Sequence, residues 1–171
     1  MSRLQNSETL QGWLAGKVID PARIEEKVAL LRGAGKTVAT VNGSFDLLHA
    51  GHLEILYQAS QQADVLLVAL NTDRSIKEYK SPQRPIISLE LRIQMIASLA
   101  MVDCVTWFDE TDPRALLARI KPDVHVNGAE YGENCIEAEV VRACGGKIHI
   151  VKLVPGLSTS HIIKNIVATC G

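Results

Sequence analysis

Apolar residues recur along the chain in two alternating patterns. Short continuous runs predict strands, and the stretches between them, with apolar residues three or four positions apart, predict helices. This alternation is typical of a parallel sheet covered by helices on both faces. The predicted strands are 37–41, 65–70, 104–107, 124–126 and 147–151, and the predicted helices are 51–62, 89–99, 113–120, 136–143 and 159–167.

The pattern predicts an α/β fold: a Rossmann-like doubly wound sheet of about five parallel strands with helices on both faces. Residues 1–35 are expected to form an N-terminal helical lead-in, and 36–171 the main domain. Asp20 and Pro21 predict the start of the lead-in helix, because Asp caps helices and Pro favours the first helical position. We expect this helix to pack outside the sheet, and residues 1–16 to be loose or engaged with another subunit.

Composition excludes several classes of partner. The 171 residues are 47% apolar and 22% charged, which indicates one globular domain with a substantial core. A net charge of −1 gives no general attraction to nucleic acid or acidic membranes. No apolar run is long enough to span a bilayer, and the first residues lack the apolar core of a signal peptide. We therefore expect no nucleic-acid or membrane partner and a cytoplasmic protein.

The four cysteines form neither a Cys-x-x-Cys pair nor a zinc-like spacing with histidines. They are Cys104, Cys135, Cys144 and Cys170. We expect reduced thiols and no metal bound by the protein itself. A catalytic thiol is the alternative, and it is disfavoured because no histidine is close in sequence.

The stretch 40–52 is the strongest candidate for chemistry. An apolar run ends there at Asn42 and Gly43, and His49 and His52 follow at the predicted start of a helix, flanking Gly51. Histidines three positions apart project from one face of a helix. Free N–H groups and the positive end of the helix dipole favour a phosphate there. The alternative is that two histidines near a helix start have no role in binding.

Two cofactor-binding signatures are missing from this stretch. Dinucleotide-binding dehydrogenases carry Gly-x-Gly-x-x-Gly after the first strand, whereas this chain has Asn-Gly-Ser-Phe-Asp-Leu-Leu-His. The phosphate-binding loop Gly-x-x-x-x-Gly-Lys-Ser/Thr does not occur either. A nicotinamide enzyme is therefore a poor fit to the sequence.

Cations follow the second predicted strand. Lys77, Lys80 and Arg84 are predicted to lie in a loop at the carboxyl end of that strand, which can lean over the same crevice as the histidines. Such cations would stabilise the negative charge of phosphate oxygens bound in that crevice. The alternative is a solvated surface loop. Arg92, further on, either pairs with Glu90 or another surface carboxylate or reaches a phosphate.

Two more segments reach the same rim by position. The fourth strand ends in Asn127-Gly128-Ala129-Glu130-Tyr131, where backbone groups at Gly128 could contact a base or sugar, although a plain strand-end turn explains the segment equally well. Ser158, Thr159 and Ser160 open the last helix. A hydroxyl is expected at a helix N-cap for structural reasons alone, and a second helix start could also hold the β- or γ-phosphate.

His-x-Gly-His after Asn-Gly-Ser-Phe-Asp resembles the signature of the nucleotidylyltransferase superfamily. A longer ordered set, running from about Lys36 to Val167, resembles the adenylyltransferase half of the bifunctional heptose enzymes of lipopolysaccharide synthesis. Besides the opening motif this set comprises Asn71-Thr72-Asp73, Lys77-x-x-Lys80, Arg84-Pro85, Leu89-x-x-Arg92, Val102-Asp103, Gly145-Gly146 and Leu157-Ser158-Thr159-Ser160.

The resemblance implies a reaction and roles for these positions. ATP and a sugar phosphate, D-glycero-D-manno-heptose 1-phosphate, would give an ADP-sugar and pyrophosphate, with Mg²⁺ bridging the ATP phosphates. The implied catalytic residues are His49, His52, Lys77 and Lys80. The implied nucleotide-binding residues are Asn42, Gly43, Ser44, Phe45, Gly51, His52, Asn127, Gly128, Ser158, Thr159 and Ser160. The implied substrate-binding residues are Asp46, Asn71, Asp73, Lys80, Arg84 and Arg92. Apolar surface on the lead-in helix favours a homodimer.

Three departures from the family pattern leave alternatives open. Asn127 stands where related enzymes have Lys, so one cation is lost near the acceptor or base. Ser44 replaces a Cys that is frequent in the heptose enzymes. The residues 153–156 lack the Arg-Thr-Glu-Gly of glycerol-phosphate cytidylyltransferases, which favours adenylyl transfer. A cytidylyltransferase for glycerol 3-phosphate or a similar polyol or amino-alcohol phosphate, and a nucleotide-binding module without catalysis, are the alternatives.

Overall fold

Five parallel strands form the sheet and confirm the predicted doubly wound fold. The computed structural model describes residues 9–152 and 158–170. The strands are β1 (Val38–Gly43), β2 (Val65–Asn71), β3 (Cys104–Phe108), β4 (Val124–Gly128) and β5 (Lys147–Val151). Their order in the sheet is β3-β2-β1-β4-β5. The direction of winding reverses between β1 and β4, which makes the carboxyl ends of these two strands the expected position of a ligand.

Helices cover both faces of the sheet. They are α1 (Leu10–Leu14), α2 (Ile24–Gly33), α3 (Ala50–Ser60), α4 (Asp73–Tyr79), α5 (Leu89–Ala97), α6 (Arg114–Ile120), α7 (Ala138–Ala143) and α8 (Thr159–Cys170). Leu56 of α3 and Ile96 of α5 join the apolar cluster on one face, and Ile24 of α2 and Leu116 of α6 join the cluster on the other. Every residue of β2 is buried because this strand is covered on both sides. In the described residues, no helix has both the length and the apolar character needed to cross a membrane.

Two short helices are absent from the sequence prediction. α1 has five residues with one buried, and α4 has seven with two buried, so neither shows helical periodicity. α4 begins directly after β2, where the Thr72 side chain accepts a hydrogen bond from the Ser75 N–H. The prediction of a loop at Lys77 is therefore wrong, because Lys77 lies in the last turn of α4.

The lead-in segment covers the outer edge of the sheet. Asp20 caps a 3-10 turn (Pro21–Arg23) by accepting a hydrogen bond from the Ala22 N–H, as its sequence predicts. The Ile19 N–H donates to the Val105 carbonyl, and the Val105 N–H donates to the Lys17 carbonyl. These bonds occupy the free edge of β3, which would otherwise be open to pairing. The division into 1–35 and 36–171 stays a prediction, and residues 1–8 lie outside the described part.

All four cysteines are free thiols. Cys104 and Cys135 are buried, and burial raises the pKa of both thiols. A raised pKa disfavours the reactive thiolate, so neither residue has the setting of a nucleophile.

We predict that the protein loses stability as the pH falls from about 6.5 to about 4. His125 of β4 is fully buried against the Thr40 hydroxyl, and burial lowers the pKa of His125 to about 4. The unfolded chain, with an ordinary histidine pKa, therefore binds the proton first. Stabilisation from the neutral ring is complete above about pH 6.5 and is lost through pH 4, by roughly 3 kcal/mol at most.

Urea unfolding at several pH values measures this effect as the slope of the unfolding free energy against pH. His125→Gln should flatten the slope in this window, leaving a remainder from His52, whose pKa is also about 4. His161→Gln, at an exposed position on α8, should keep the full slope. An equal slope in the wild type and in His125→Gln would contradict the assignment.

Candidate active site at the carboxyl ends of β1 and β4

β1 and β4 separate near their carboxyl ends. They pair at Ala39 with Val124 and at Thr40 with His125, whereas β1 stays paired with β2 as far as Gly43. β4 likewise stays paired with β5 to its end. We call residues 41–43 the β1 lip and 126–128 the β4 lip. A cavity of about 610 Å³ lies between them, at the switch point of the sheet.

Most of the residues implied by the resemblance line this cavity. Those that do are Asn42, Gly43, Ser44, Phe45, His49, Gly51, His52, Lys80, Arg84, Asn127, Gly128, Ser158, Thr159 and Ser160. Those that do not are Asp46, Asn71, Asp73, Lys77 and Arg92. The individual binding roles stay predictions; the structure brings the segments 42–52, 80–84, 127–128 and 158–160 to one cavity.

The two histidines stand at the start of α3. His49 is the N-cap residue in an extended conformation, and its carbonyl accepts hydrogen bonds from the N–H groups of His52 and Leu53. The imidazole rings are stacked, with centroids 3.8 Å apart and planes inclined by 19°. The Phe45 ring lies 5.2 Å from that of His52. Gly51, between the histidines, is buried and places no side chain over the helix start.

Both imidazoles are held neutral. Burial lowers the pKa of His52 to about 4, with further lowering by His49 and Lys80, and burial also lowers the pKa of His49. Among the described residues, the Nδ1 atom of each ring is buried without a hydrogen-bond partner, as is Oδ1 of Asn42 on the β1 lip. Buried polar atoms normally have partners, so unpaired ones around one cavity indicate a ligand that supplies them.

Lys80 and Arg84 supply the positive charge of the cavity. Lys80 Nζ donates a hydrogen bond of 2.8 Å to Ser44 Oγ, and burial together with Arg84 lowers the pKa of Lys80. Lys77, which was expected to join them, is exposed and does not line the cavity. Lys77 lies within α4, whereas Lys80 is the C-cap residue of that helix and its Nζ reaches Ser44 in the cavity lining.

Asp46 has a different place from the predicted substrate contact. Its side chain is 0% exposed and accepts hydrogen bonds from the N–H groups of Ile86 and Ile87 and from Arg84 Nε, at 2.7–3.0 Å. The Thr159 hydroxyl donates to the Asp46 carbonyl at 2.7 Å. Burial would raise the pKa of Asp46, but these donors outweigh it and lower the pKa. We call these contacts the Asp46 junction.

Arg92 also serves the framework rather than the cavity lining. It is 0% exposed and donates to the Ser44, Asn71 and Ile87 carbonyls and to Asp73 Oδ1, at 2.6–2.9 Å. Its carboxylate partner is thus Asp73 and not Glu90. The Arg92 guanidinium makes its hydrogen bonds within the protein, and it links the residue after β1 to the end of β2. The predicted substrate roles of Asn71, Asp73 and Arg92 lack support from their positions.

The start of α8 and the β4 lip complete the lining. Ser158 caps α8 by accepting a hydrogen bond from the His161 N–H, as predicted for this helix start. Residues 153–156, which the sequence singles out as a departure, lie outside the described residues. On the β4 lip, a Cβ at Gly128 would collide with the Glu130 carboxylate, so Glu130 occupies the space beside the glycine.

Sequence reasoning missed several lining residues. Tyr79 and Ser81 line the cavity, together with apolar Val41, Ile55 and Val126. Glu130 and Tyr131 also line it, and the sequence places them in the segment 127–131 at this rim without giving either a binding role. Each polar member is next to, or within three residues of, a position that the sequence does single out. Closeness in sequence to a predicted site residue is the one feature that could have indicated them, and it does not show where a side chain points.

The described residues contain no group of three or more His, Cys, Asp or Glu side chains that could hold a metal ion. The one fully buried carboxylate near the histidines, Asp46, has its oxygens occupied by the junction. The residues that the structure describes therefore offer no protein cage for a divalent ion. A hydrated Mg²⁺ carried by substrate phosphates needs no such cage.

The geometry is that of a nucleotidyltransferase: a helix start with paired histidines at the switch point of a parallel sheet. A family model described as cytidylyltransferase-like matches residues 40–166. The chain belongs to the cytidylyltransferase-like family.

Individual relatives cover most of this chain. The bifunctional protein HldE of Granulibacter bethesdensis is 45% identical over 133 residues, 77% of this chain and 27% of the relative. The bifunctional protein HldE of Gluconobacter oxydans is 44% identical over 131 residues, 76% of this chain and 27% of the relative. The chain thus spans about a quarter of the length of these relatives.

Solved structures share the fold. A lipopolysaccharide core biosynthesis protein from Thermoplasma volcanium has a TM-score of 0.57 at 27% identity, over 70% of this chain and 98% of that one. The pantoate-beta-alanine ligase of Francisella tularensis has a TM-score of 0.61 at 18% identity, over 87% of this chain and 72% of that one. The second likeness concerns the fold alone.

We predict that pyrophosphate binding raises the pKa of His52 from about 4 by at least about one unit, because a nearby anion favours the imidazolium. The affinity for pyrophosphate should accordingly increase as the pH falls toward the raised pKa. Titration of the imidazole NMR signals with and without pyrophosphate measures the shift. His125 is the internal control, since its pKa is likewise lowered to about 4 but the residue does not line the cavity. Equal shifts of both rings, or no shift of His52, would contradict phosphate binding at α3.

Proposed function

We propose that the chain transfers AMP from ATP to a sugar phosphate, giving an ADP-sugar and pyrophosphate. One observation carries the proposal: two neutral imidazoles with unpaired buried nitrogens share a cavity with Lys80 and the start of α8. Phosphate oxygens are charged acceptors, and this group of residues offers N–H donors and a cation. Each neutral imidazole contributes one N–H donor.

D-glycero-D-manno-heptose 1-phosphate is the proposed acceptor. The ordered set of residues that resembles the adenylyltransferase half of the bifunctional heptose enzymes supports it. The matches to HldE proteins and to a structure described as a lipopolysaccharide core biosynthesis protein point the same way.

The proposed reaction is an in-line displacement. An oxygen of the sugar phosphate forms a bond to the α-phosphorus of ATP, and the bond from that phosphorus to the bridging α–β oxygen breaks. Pyrophosphate leaves with the electron pair and its charge. No side-chain nucleophile is needed, since the attacking phosphate is already ionised and requires only alignment. The residues around the cavity act by binding and by stabilising charge as it moves to the leaving group.

His49 and His52, with the N–H groups at the start of α3, would hold phosphate oxygens on one side. Lys80 would face them from its position beside Ser44, and the start of α8 would bind the distal phosphates. Mg²⁺, bound to the nucleotide phosphates and water, would neutralise part of their charge. A homodimer, a cytoplasmic location and the absence of nucleic-acid and membrane partners stay proposals.

We predict that pyrophosphate release in the presence of heptose 1-phosphate is at least about tenfold faster with ATP than with CTP. Release coupled to a colorimetric phosphate assay measures both rates. Turnover with CTP alone would favour the cytidylyltransferase alternative. A lack of turnover with either nucleotide, despite nucleotide binding, would favour the non-catalytic module.

A matched pair of variants shows whether the measured rate arises in this cavity. His52→Ala should lower turnover by about two orders of magnitude or more, as for loss of a donor to the transition state. His161→Ala removes an exposed imidazole that does not line the cavity and should leave turnover unchanged. Unchanged turnover in His52→Ala would place the reaction elsewhere.

A further inference from the structure

Glu137 is a buried carboxylate behind the β4 lip. It is 6% exposed, directly precedes α7, and belongs to none of the salt bridges in the described residues. Arg114 interacts with Glu137 electrostatically but makes its salt bridge to Asp112. Burial of a carboxylate without a directly paired cation is unfavourable unless hydrogen bonds compensate for it. Its position beside the cavity therefore calls for an explanation beyond packing.

Glu137 accepts a hydrogen bond from the side-chain amide of Asn127, and this bond bears on which amide atom faces the cavity. Asn127 Nδ2 donates to Glu137 Oε2 at 3.4 Å, and Asn127 is itself only 6% exposed. The Cys135 thiol interacts with both side chains. A carboxylate only accepts hydrogen bonds, so the amide nitrogen must face Glu137. The amide oxygen is then the atom that Asn127 can offer to the cavity it lines.

A second acceptor stands across the cleft. Thr40 lies opposite His125, and side chains alternate along a strand, so Asn42 and Asn127 project from the same face of the sheet. Oδ1 of Asn42 is buried and has no partner in the described residues. Each lip therefore presents an amide oxygen.

The charge around the β4 lip is negative. Glu130 lines the cavity beside Gly128, and Glu137 lies behind Asn127. Both carboxylates help burial to raise the pKa of the Tyr131 hydroxyl. The two lining cations, Lys80 and Arg84, bond to Ser44 and Asp46, which follow β1, and not to the β4 lip. A phosphate is therefore disfavoured at the β4 lip, while a neutral donor is favoured there.

We propose that Glu137 is a positioning residue that fixes Asn127 as an acceptor, so that the two lips select a neutral substrate group that donates hydrogen bonds. This inference rests on the proposed function. The group is an exocyclic amine of the nucleotide base or a hydroxyl of the acceptor sugar, which share this chemistry.

Binding and kinetics of Glu137→Gln test the proposal, because a glutamine can donate as well as accept and no longer fixes the amide. The probes are ATP, purine riboside 5′-triphosphate, which lacks the amine, and pyrophosphate. If the lips bind the exocyclic amine, the wild type should bind ATP about tenfold more tightly than purine riboside 5′-triphosphate. Glu137→Gln should lose this preference. If the lips bind a hydroxyl of the acceptor sugar, the KM for the sugar phosphate should rise about tenfold in Glu137→Gln, while kcat changes less than twofold.

Controls separate this proposal from a structural role and from the proposed function. Glu139→Gln, at an exposed position on the same helix, should behave as the wild type. Pyrophosphate affinity should be unchanged in Glu137→Gln. Asn127→Leu, which removes the amide at similar volume, should reproduce the same loss. The proposal is overturned if neither the preference for ATP nor the KM changes. A wild type that binds neither ATP nor pyrophosphate would instead refute the proposed function.

Discussion

Asp46 joins three segments that are far apart in the sequence, and the geometry of the site depends on that junction. Its carboxylate holds the loop that carries Arg84, and its carbonyl holds the start of α8 through Thr159. The flanking residues Phe45 and Leu47 have positive φ angles of 45° and 51°, a region in which side chains are strained by about 1–3 kcal/mol each. Such strain persists only where surrounding contacts fix the backbone, and the buried junction provides them. The turn can then direct Phe45 against His52.

The junction and the sheet together divide the cavity by charge. Neutral imidazoles, the start of α3 and Lys80 lie where an anion would be stabilised. Asn42 and Asn127 stand on the two lips, and the Glu130 and Glu137 carboxylates lie next to the β4 lip. Neutral histidines are suited to the first task, because they donate hydrogen bonds without adding charge beside Lys80. A substrate with phosphates at one end and hydrogen-bond donors at the other is therefore aligned by electrostatics before any contact is specific. Alignment is what an in-line displacement requires.

Local patterns in the sequence were enough to predict the sheet and the position of the histidines. Apolar runs such as β2 depend on burial from both faces, and Gly51 between two histidines marks a helix start. Long-range contacts left no such pattern: Asp46 and Arg84 are 38 residues apart, and nothing local shows that the carboxylate is turned inward. The same holds for Arg92, which donates to the carbonyl of Ser44, directly after β1, and to that of Asn71, at the end of β2. Lys77 was misplaced because α4 has too few buried residues to be recognised.

Affinity for ATP in Asp46→Asn tests the central claim most directly, since asparagine preserves the size of the side chain but removes the charge that pairs with Arg84. Calorimetry should show ATP affinity reduced at least about tenfold, while the far-UV circular dichroism stays that of the wild type. Asp64→Asn is the matched control, because Asp64 is an exposed aspartate that bonds Thr37 at the opposite end of the strands. Wild-type ATP affinity in Asp46→Asn would contradict the dependence of the site on this junction.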